Sequence, residues 1–205
     1  MSNENQIKVI LLGNSGVGKT SLINAIIHLD YKYANDNCAT LSSYFVQKQV
    51  SYNGNNYILN IWDTAGQEIY LGVTKLFFKG SEIIIFVYDV CASNSFKDLE
   101  KWISMTEEIV ENKHICSIVG NKNDLYLNAE ITEEEAKKYA AEKNYQFKLV
   151  SAKEDPKAVN DFLVTLVKEY KEKIDSNGRE RRKSIRLKDV KNKDNDKDSD
   201  HKCCS

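Results

Sequence analysis

The chain has 205 residues, room for one domain and a tail, with 29 Lys+Arg against 30 Asp+Glu and a formal net charge of −1. That balance excludes a whole-chain attraction to nucleic acid or to an anionic bilayer. No apolar run approaches the roughly 18 residues of a membrane span, and the polar start, Met1 to Gln6, leads straight into an apolar stretch, so no signal peptide is expected.

Ile7–Gly13 is a short β-branched apolar run, the mark of a buried strand. A glycine-rich turn follows, then Leu22, Ile23, Ile26 and Ile27 at helical spacing. Residues 30–42 are polar and irregular and read as a long loop. Tyr44–Tyr52 and Tyr57–Asp63 flank Asn53-Gly54, a strong hairpin signal. Residues 64–80 fit no single pattern. Glu82–Val90 and His114–Gly120 are two further apolar strands, with Phe96, Leu99, Ile103 and Val110 marking a helix between them. Thr132 and Glu135 form a capping box that opens a helix to about Asn144. Tyr145–Val150 is a short last strand, and Val159, Phe162, Leu163, Leu166, Val167 and Tyr170 make an amphipathic stripe. The expectation is an α/β domain over residues 1–174: a six-stranded, mainly parallel sheet with one antiparallel strand and helices on both faces. From Asp175 the chain is Lys, Asp and Asn with few apolar residues, too little to offset ordering, and reads as a disordered tail, 175–205.

Four motifs fall where strands end, which is where such sheets bind ligands. Gly13-Asn14-Ser15-Gly16-Val17-Gly18-Lys19-Thr20 matches G-x-x-x-x-G-K-[ST] between a strand and a helix. Its backbone N–H groups can close around phosphate oxygens, with the positive end of the next helix behind them. Lys19 would reach the β- and γ-phosphates and the Thr20 hydroxyl would bind Mg²⁺. Asp63-Thr64-Ala65-Gly66-Gln67 follows: Asp63 can hold a Mg²⁺-bound water, the Gly66 N–H can approach the γ-phosphate, and Gln67 is placed to orient an attacking water. Asn121-Lys122-Asn123-Asp124 closes the third apolar strand. The Asp124 carboxylate can accept from guanine N1–H and the 2-amino group, whereas adenine would leave it unpaired. Ser151-Ala152-Lys153 ends the last strand and could offer a backbone N–H to the guanine O6.

With these motifs in this order, the chain resembles the Ras superfamily of small GTPases over about Ile7 to Tyr170. Trp62 beside Asp63, Gly18-Lys19-Thr20-Ser21, Gly120–Asp124 and the terminal Cys203-Cys204-Ser205 point to the Rab family. Ala39-Thr40-Leu41 with Phe45 and Lys48 look most like its early-endosomal branch. The resemblance implies a GTP- and GDP-binding switch that hydrolyses GTP with Mg²⁺. Its nucleotide would contact Ser15, Gly16, Val17, Gly18, Lys19, Thr20, Ser21, Gly66, Asn121, Lys122, Asp124, Ser151, Ala152 and Lys153. Thr40 looks like the switch I threonine that contacts Mg²⁺ and the γ-phosphate. Tyr33 falls where the family sets an aromatic ring against the base, and residues 64–79 look like switch II. Phe45, Trp62 and Phe77 fall on the aromatic triad that Rab effectors read; the alternative is core between strands.

The resemblance further implies a single-chain protein served by an exchange factor, a GTPase-activating protein, a GDP-dissociation inhibitor, an escort protein and effectors. Its place would be the cytoplasmic face of intracellular membranes, endosomal by branch, in exchange with the cytosol. Geranylgeranyl groups on Cys203 and Cys204 would anchor it, since two lipid chains hold a bilayer stably where one does not. The scattered Cys38, Cys91 and Cys116 show no disulfide or zinc spacing and agree with a reducing compartment. Three positions depart from the family pattern: Leu41-Ser42 replaces the usual Ile-Gly after Thr40, Ile69 replaces an Arg after Gln67-Glu68, and Asn14 stands where Asp is commoner. Two other readings compete: a GTP-binding scaffold with little hydrolysis, and a nucleoside kinase or ATPase on the same phosphate loop.

Overall fold

The computed structural model describes residues 5–27, 44–63, 78–109 and 114–195. Its elements in chain order are β1 (Gln6–Leu12), α1 (Lys19–Ile27), β2 (Tyr44–Tyr52), β3 (Asn55–Asp63), β4 (Ile83–Asp89), α2 (Ser93–Lys97), α3 (Leu99–Glu107), β5 (Ile115–Asn121), a 3-10 turn (Asn123–Asn128), α4 (Glu133–Glu142), β6 (Gln146–Leu149) and α5 (Pro156–Asn195). The six strands form one sheet in the order β2-β3-β1-β4-β5-β6. Only β2 runs antiparallel, paired to β3, as the Asn53-Gly54 signal required. Both turn residues have positive φ, 51° and 75°, the backbone a two-residue hairpin needs to match strand twist.

The alternation along the strands explains why three of them are apolar throughout. Ile10 and Leu12 of β1, Ile84, Phe86 and Tyr88 of β4, and Cys116 and Ile118 of β5 face one side. There they pack with Phe96, Leu99, Trp102 and Ile103 of α2 and α3, and Ala136 and Ala140 of α4. The intervening residues Leu11, Ile85 and Val119 face the other side, where they meet Leu22 and Ile26 of α1 and Val159, Phe162 and Leu163 of α5. A strand buried on both faces is apolar at nearly every position, and the buried Ser117 of β5 turns its hydroxyl to the Ile84 carbonyl at 3.5 Å.

The helix marked by Phe96 to Ile103 is in fact two, α2 and α3, joined at Asp98. Thr132 caps α4 as its sequence requires, accepting from the Glu135 N–H at 3.2 Å. The chain divides into two units, Met1–Tyr170 and Lys171–Ser205. The backbone of α5 is helical through Asn195, where composition suggested no regular structure. Arg, Lys and Leu between Arg179 and Lys188 are good helix formers, a local preference that this backbone follows. Among the described residues no helix is long and apolar enough to cross a membrane.

Candidate functional site

Strands β1, β3, β4, β5 and β6 run parallel, so their carboxyl ends share one edge of the sheet. The loop after β1 reaches that edge under tight constraint. Gly13 has φ +149°, and a Cβ there would lie 2.1 Å from the Val87 carbonyl oxygen. Gly18 has φ +93°, and a Cβ would lie 2.3 Å from the Asn121 amide nitrogen. Any larger residue at either position would push the loop off the sheet. The loop opens α1, whose first turn carries no acidic side chain to oppose an anion.

Lys19 is buried, and its ammonium donates to the carbonyl oxygens of Gly13 at 2.7 Å and Asn14 at 2.8 Å. The cation is therefore held inside the curl of the loop it belongs to. Beside it, Thr20 donates its hydroxyl to Asp63 Oδ2 at 2.5 Å. Asp63 is fully buried at the end of β3, opposite Leu11 in the β1 register. Burial pushes its pKa up, while the Thr20 hydrogen bond and the nearby Lys19 charge pull the other way.

Asp63 Oδ1 has no hydrogen-bond partner among the described residues. A buried carboxylate oxygen left in this way is costly unless something cationic or donating meets it. The carboxylate and the Thr20 hydroxyl are hard oxygen donors of the kind Mg²⁺ takes, so these residues fit that ion. Among the described residues there is no cluster of three or more His, Cys, Asp or Glu. Magnesium commonly manages with so few protein ligands by keeping water and taking substrate phosphate oxygens.

At the far end of the edge, Asn121 joins two loops. Its Nδ2 donates to the Val17 carbonyl at 3.0 Å, and its Oδ1 accepts from the Ala152 N–H at 3.1 Å. The phosphate-type loop and the loop after β6 are thereby tied through one buried side chain. Ser151 donates to Asp124 Oδ1 at 2.7 Å and accepts from the Glu154 N–H at 2.9 Å. Lys122 has φ +65° and pairs its ammonium with Asp89 Oδ2 at 2.6 Å. Lys153 is exposed, 3.7 Å from Glu154.

Phe45 and Trp62 are register partners on β2 and β3, with ring centroids 4.8 Å apart. Phe45 is 43% exposed and Trp62 is half-buried, so this pair forms a surface patch and not strand core. Lys8 lies over the Trp62 ring, its ammonium 5.9 Å from the centroid.

The structure thus brings Gly13–Thr20, Asp63, Asn121–Asp124 and Ser151–Lys153 to one edge. Tyr33, Thr40, Gly66, Gln67, Phe77, Cys203 and Cys204 lie outside the described residues. Two contributors were given no site role by the sequence. Asp89, which holds Lys122, carried a usable signal, an acidic residue closing an apolar strand at the ligand-binding edge. Asn14, which reaches α3, stood out only as a departure from the family pattern, because the motif leaves that position open and nothing along the chain points to its partners.

The comparisons with known proteins agree with this geometry. The Ras family model matches residues 8–172. Ras-related protein Rab-30 of Homo sapiens is 33% identical over 156 residues, covering 76% of each chain. Ras-related protein SEC4 of Saccharomyces cerevisiae is 34% identical over 176 residues, 86% of this chain and 80% of its own. GTP-binding protein YPT1 of the same yeast is 35% identical over 167 residues, 82% and 80% respectively. The chain belongs to the Ras family and, within it, to the Rab-type small GTPases.

Proposed function

We propose that this protein is a Mg²⁺-dependent GTPase switch of membrane trafficking, holding effectors in its GTP state and releasing them after hydrolysis. The observation that carries the reading is the convergence at one sheet edge of a lysine-filled phosphate loop, a buried Thr20–Asp63 pair and an Asp124 carboxylate oriented by Ser151. Lys19 binds the β- and γ-phosphates, and Ser15 to Gly18 with Ser21 line the phosphate path. Thr20, Thr40 and Asp63, the last through water, would hold Mg²⁺, which would supply positive charge to offset that developing on the phosphates. Asp124 reads guanine, Asn121 and Lys122 brace its loop, Ser151, Ala152 and Lys153 border the base, and Tyr33 covers it. Gln67 orients the attacking water, and the N–H of Gly66 holds the second switch on the γ-phosphate. Loss of that phosphate relaxes both switches, an order-to-disorder transition that partners sense.

Residues 1–178 contain no arginine, so the folded domain has no arginine of its own to offset charge at the γ-phosphate. Intrinsic hydrolysis is therefore slow and rises when an activating protein supplies one. In the Ras and Gα relatives such an arginine is worth roughly 10³–10⁵ in rate.

In this reading residues 1–174 form the GTPase domain and 175–205 the tail. Both Cys203 and Cys204 carry geranylgeranyl groups, and Arg179–Lys188 adds attraction to anionic lipid. An escort protein delivers the chain for lipidation, a GDP-dissociation inhibitor carries it through the cytosol, and an exchange factor reloads it on the membrane. Phe45, Trp62 and Phe77 form the effector surface, and the early-endosomal resemblance supports an endosomal membrane.

The test is single-turnover hydrolysis of Mg²⁺-GTP by the purified chain, alone and with a Rab-activating protein. Wild type should be slow and strongly activated, and Gln67→Leu should bind nucleotide normally and hydrolyse in neither condition. Activated hydrolysis by Gln67→Leu at the wild-type rate would overturn the assignment. A wild type that binds GTP but never hydrolyses it would favour the scaffold reading, for which Ile69 is the motivating departure.

A further inference from the structure

Asn14 does more than fill an unconstrained motif position. Its Nδ2 donates to Asp98 Oδ2 at 2.7 Å, and its Oδ1 accepts from Trp102 Nε1 at 3.0 Å. Chemistry fixes this orientation of the amide, because the reverse would set donor against donor and acceptor against acceptor. The same residue's carbonyl oxygen is one of the two that hold Lys19. The direction of that carbonyl is thus coupled to a side chain pinned at both ends.

The other half of the contact is equally constrained. Trp102 is buried, and its neighbours in α3, Leu99 and Ile103, are fully buried in the core. Asp98 sits at the α2–α3 junction with helical backbone, its N–H donating to the Asn94 carbonyl and its own carbonyl accepting from the Lys101 N–H. Its side chain makes no capping bond to α3. The carboxylate turns to Asn14 and to Lys101, 2.6 Å away. It therefore ties the α2–α3 junction to the loop after β1.

We propose that Asn14, Asp98 and Trp102 form a clamp that sets the rate of nucleotide release by holding the loop carbonyls on Lys19. Asn14 acts as a positioning residue, and α3 is the rigid body it is fixed to. This inference rests on the reading of the loop as a guanine-nucleotide site. It also explains why position 14 carries an amide and not a carboxylate. With a carboxylate already at position 98, a second one at position 14 would place like charges within hydrogen-bond distance, which is repulsive.

The experiment measures release of mant-GDP from the Mg²⁺-loaded full chain against excess GDP. Asn14→Asp should speed release roughly tenfold, the usual scale for losing a hydrogen bond to a charged group. Asp98→Asn alone should change it little, since two amides can still pair. The double variant Asn14→Asp with Asp98→Asn restores every partner, including the Trp102 N–H, and should return release to within about threefold of wild type. Trp102→Phe keeps the six-membered ring but loses the donor and the pyrrole half of a buried indole, so it should lower thermal stability somewhat and speed release. A double variant as fast as Asn14→Asp, or a Trp102→Phe rate equal to wild type, would overturn the clamp. Failure of wild type to retain mant-GDP at all would instead overturn the nucleotide reading on which the clamp rests.

Discussion

Ser151 and Asp124 meet across two loops, the serine hydroxyl donating to one carboxylate oxygen at 2.7 Å. The serine is itself held by the Glu154 N–H, so the carboxylate is oriented before any base arrives. Asp124→Asn replaces an acceptor by a donor amide, and xanthine nucleotides should then bind better than guanine nucleotides. Competition of GDP and XDP for the purified variant checks this. Unchanged GDP affinity would remove Asp124 from the base site.

Thr20→Ala should have two effects. It leaves buried Asp63 Oδ2 without its donor, which costs about 1–3 kcal/mol of stability in the nucleotide-free protein. It should also erase most of the slowing of GDP release by Mg²⁺, read as the ratio of rates with and without EDTA. A ratio as large as in wild type would place the ion elsewhere.

Replacing Cys203 and Cys204 by Ser should leave GTP binding intact and move the protein from membranes to the cytosol. Fractionation of cells expressing the tagged variant reads the outcome, and continued sedimentation with membranes would place the anchor elsewhere.

Tyr88 carries a buried hydroxyl with no hydrogen-bond partner among the described residues, and burial pushes its pKa up. Its ring packs edge-on against Phe96 at 4.9 Å, a contact that does not use the hydroxyl. Tyr88→Phe should therefore stabilise the fold, by about 1 kcal/mol, because the desolvated group is removed and the ring kept. Urea denaturation checks the sign, and a loss of stability would mean that the hydroxyl has a partner, such as a buried water.

Glu100 accepts from Lys143 at 2.8 Å and from the Tyr139 hydroxyl at 2.5 Å, tying α3 to α4, and both bonds hold its pKa below the usual 4.5. A depressed carboxylate contributes stability above its unfolded value and loses it as pH falls through the folded one. Glu100→Gln should thus cost a little near pH 7, under about 1 kcal/mol for so exposed a pair. The difference should shrink as pH falls from 4.5 and vanish only below the lowered folded-state value, which a series of thermal melts would show.

The legible part of this protein was whatever leaves a periodic or contiguous trace. Runs such as Ile83–Tyr88 announce a strand covered on both faces, and Asn53-Gly54 announces its hairpin, because each is dictated by residues next to one another. The motif loops were legible for the same reason. The helix break at Asp98 was not, since Phe96, Leu99 and Ile103 keep helical spacing straight through it. Nor were the Asn14 contacts, which join residues 84 and 88 positions apart. Side chains that meet only after folding leave no pattern along the chain.

The hairpin that ends the sheet has one more consequence. Its ladder runs from the turn to the pair Tyr44 and Asp63, so the two stretches flanking it, 28–43 and 64–77, attach to the two ends of one rung. The Asn53-Gly54 turn works as a ruler for both attachment points. Adding one residue to it would slide one rail against the other by about 3.4 Å and turn alternate side chains to the opposite face. Phe45 and Trp62 would part, and Asp63 could no longer meet Thr20 in the same register as Tyr44. A length change at the tip, the place where insertions are usually tolerated, would here detune the opposite end of the molecule.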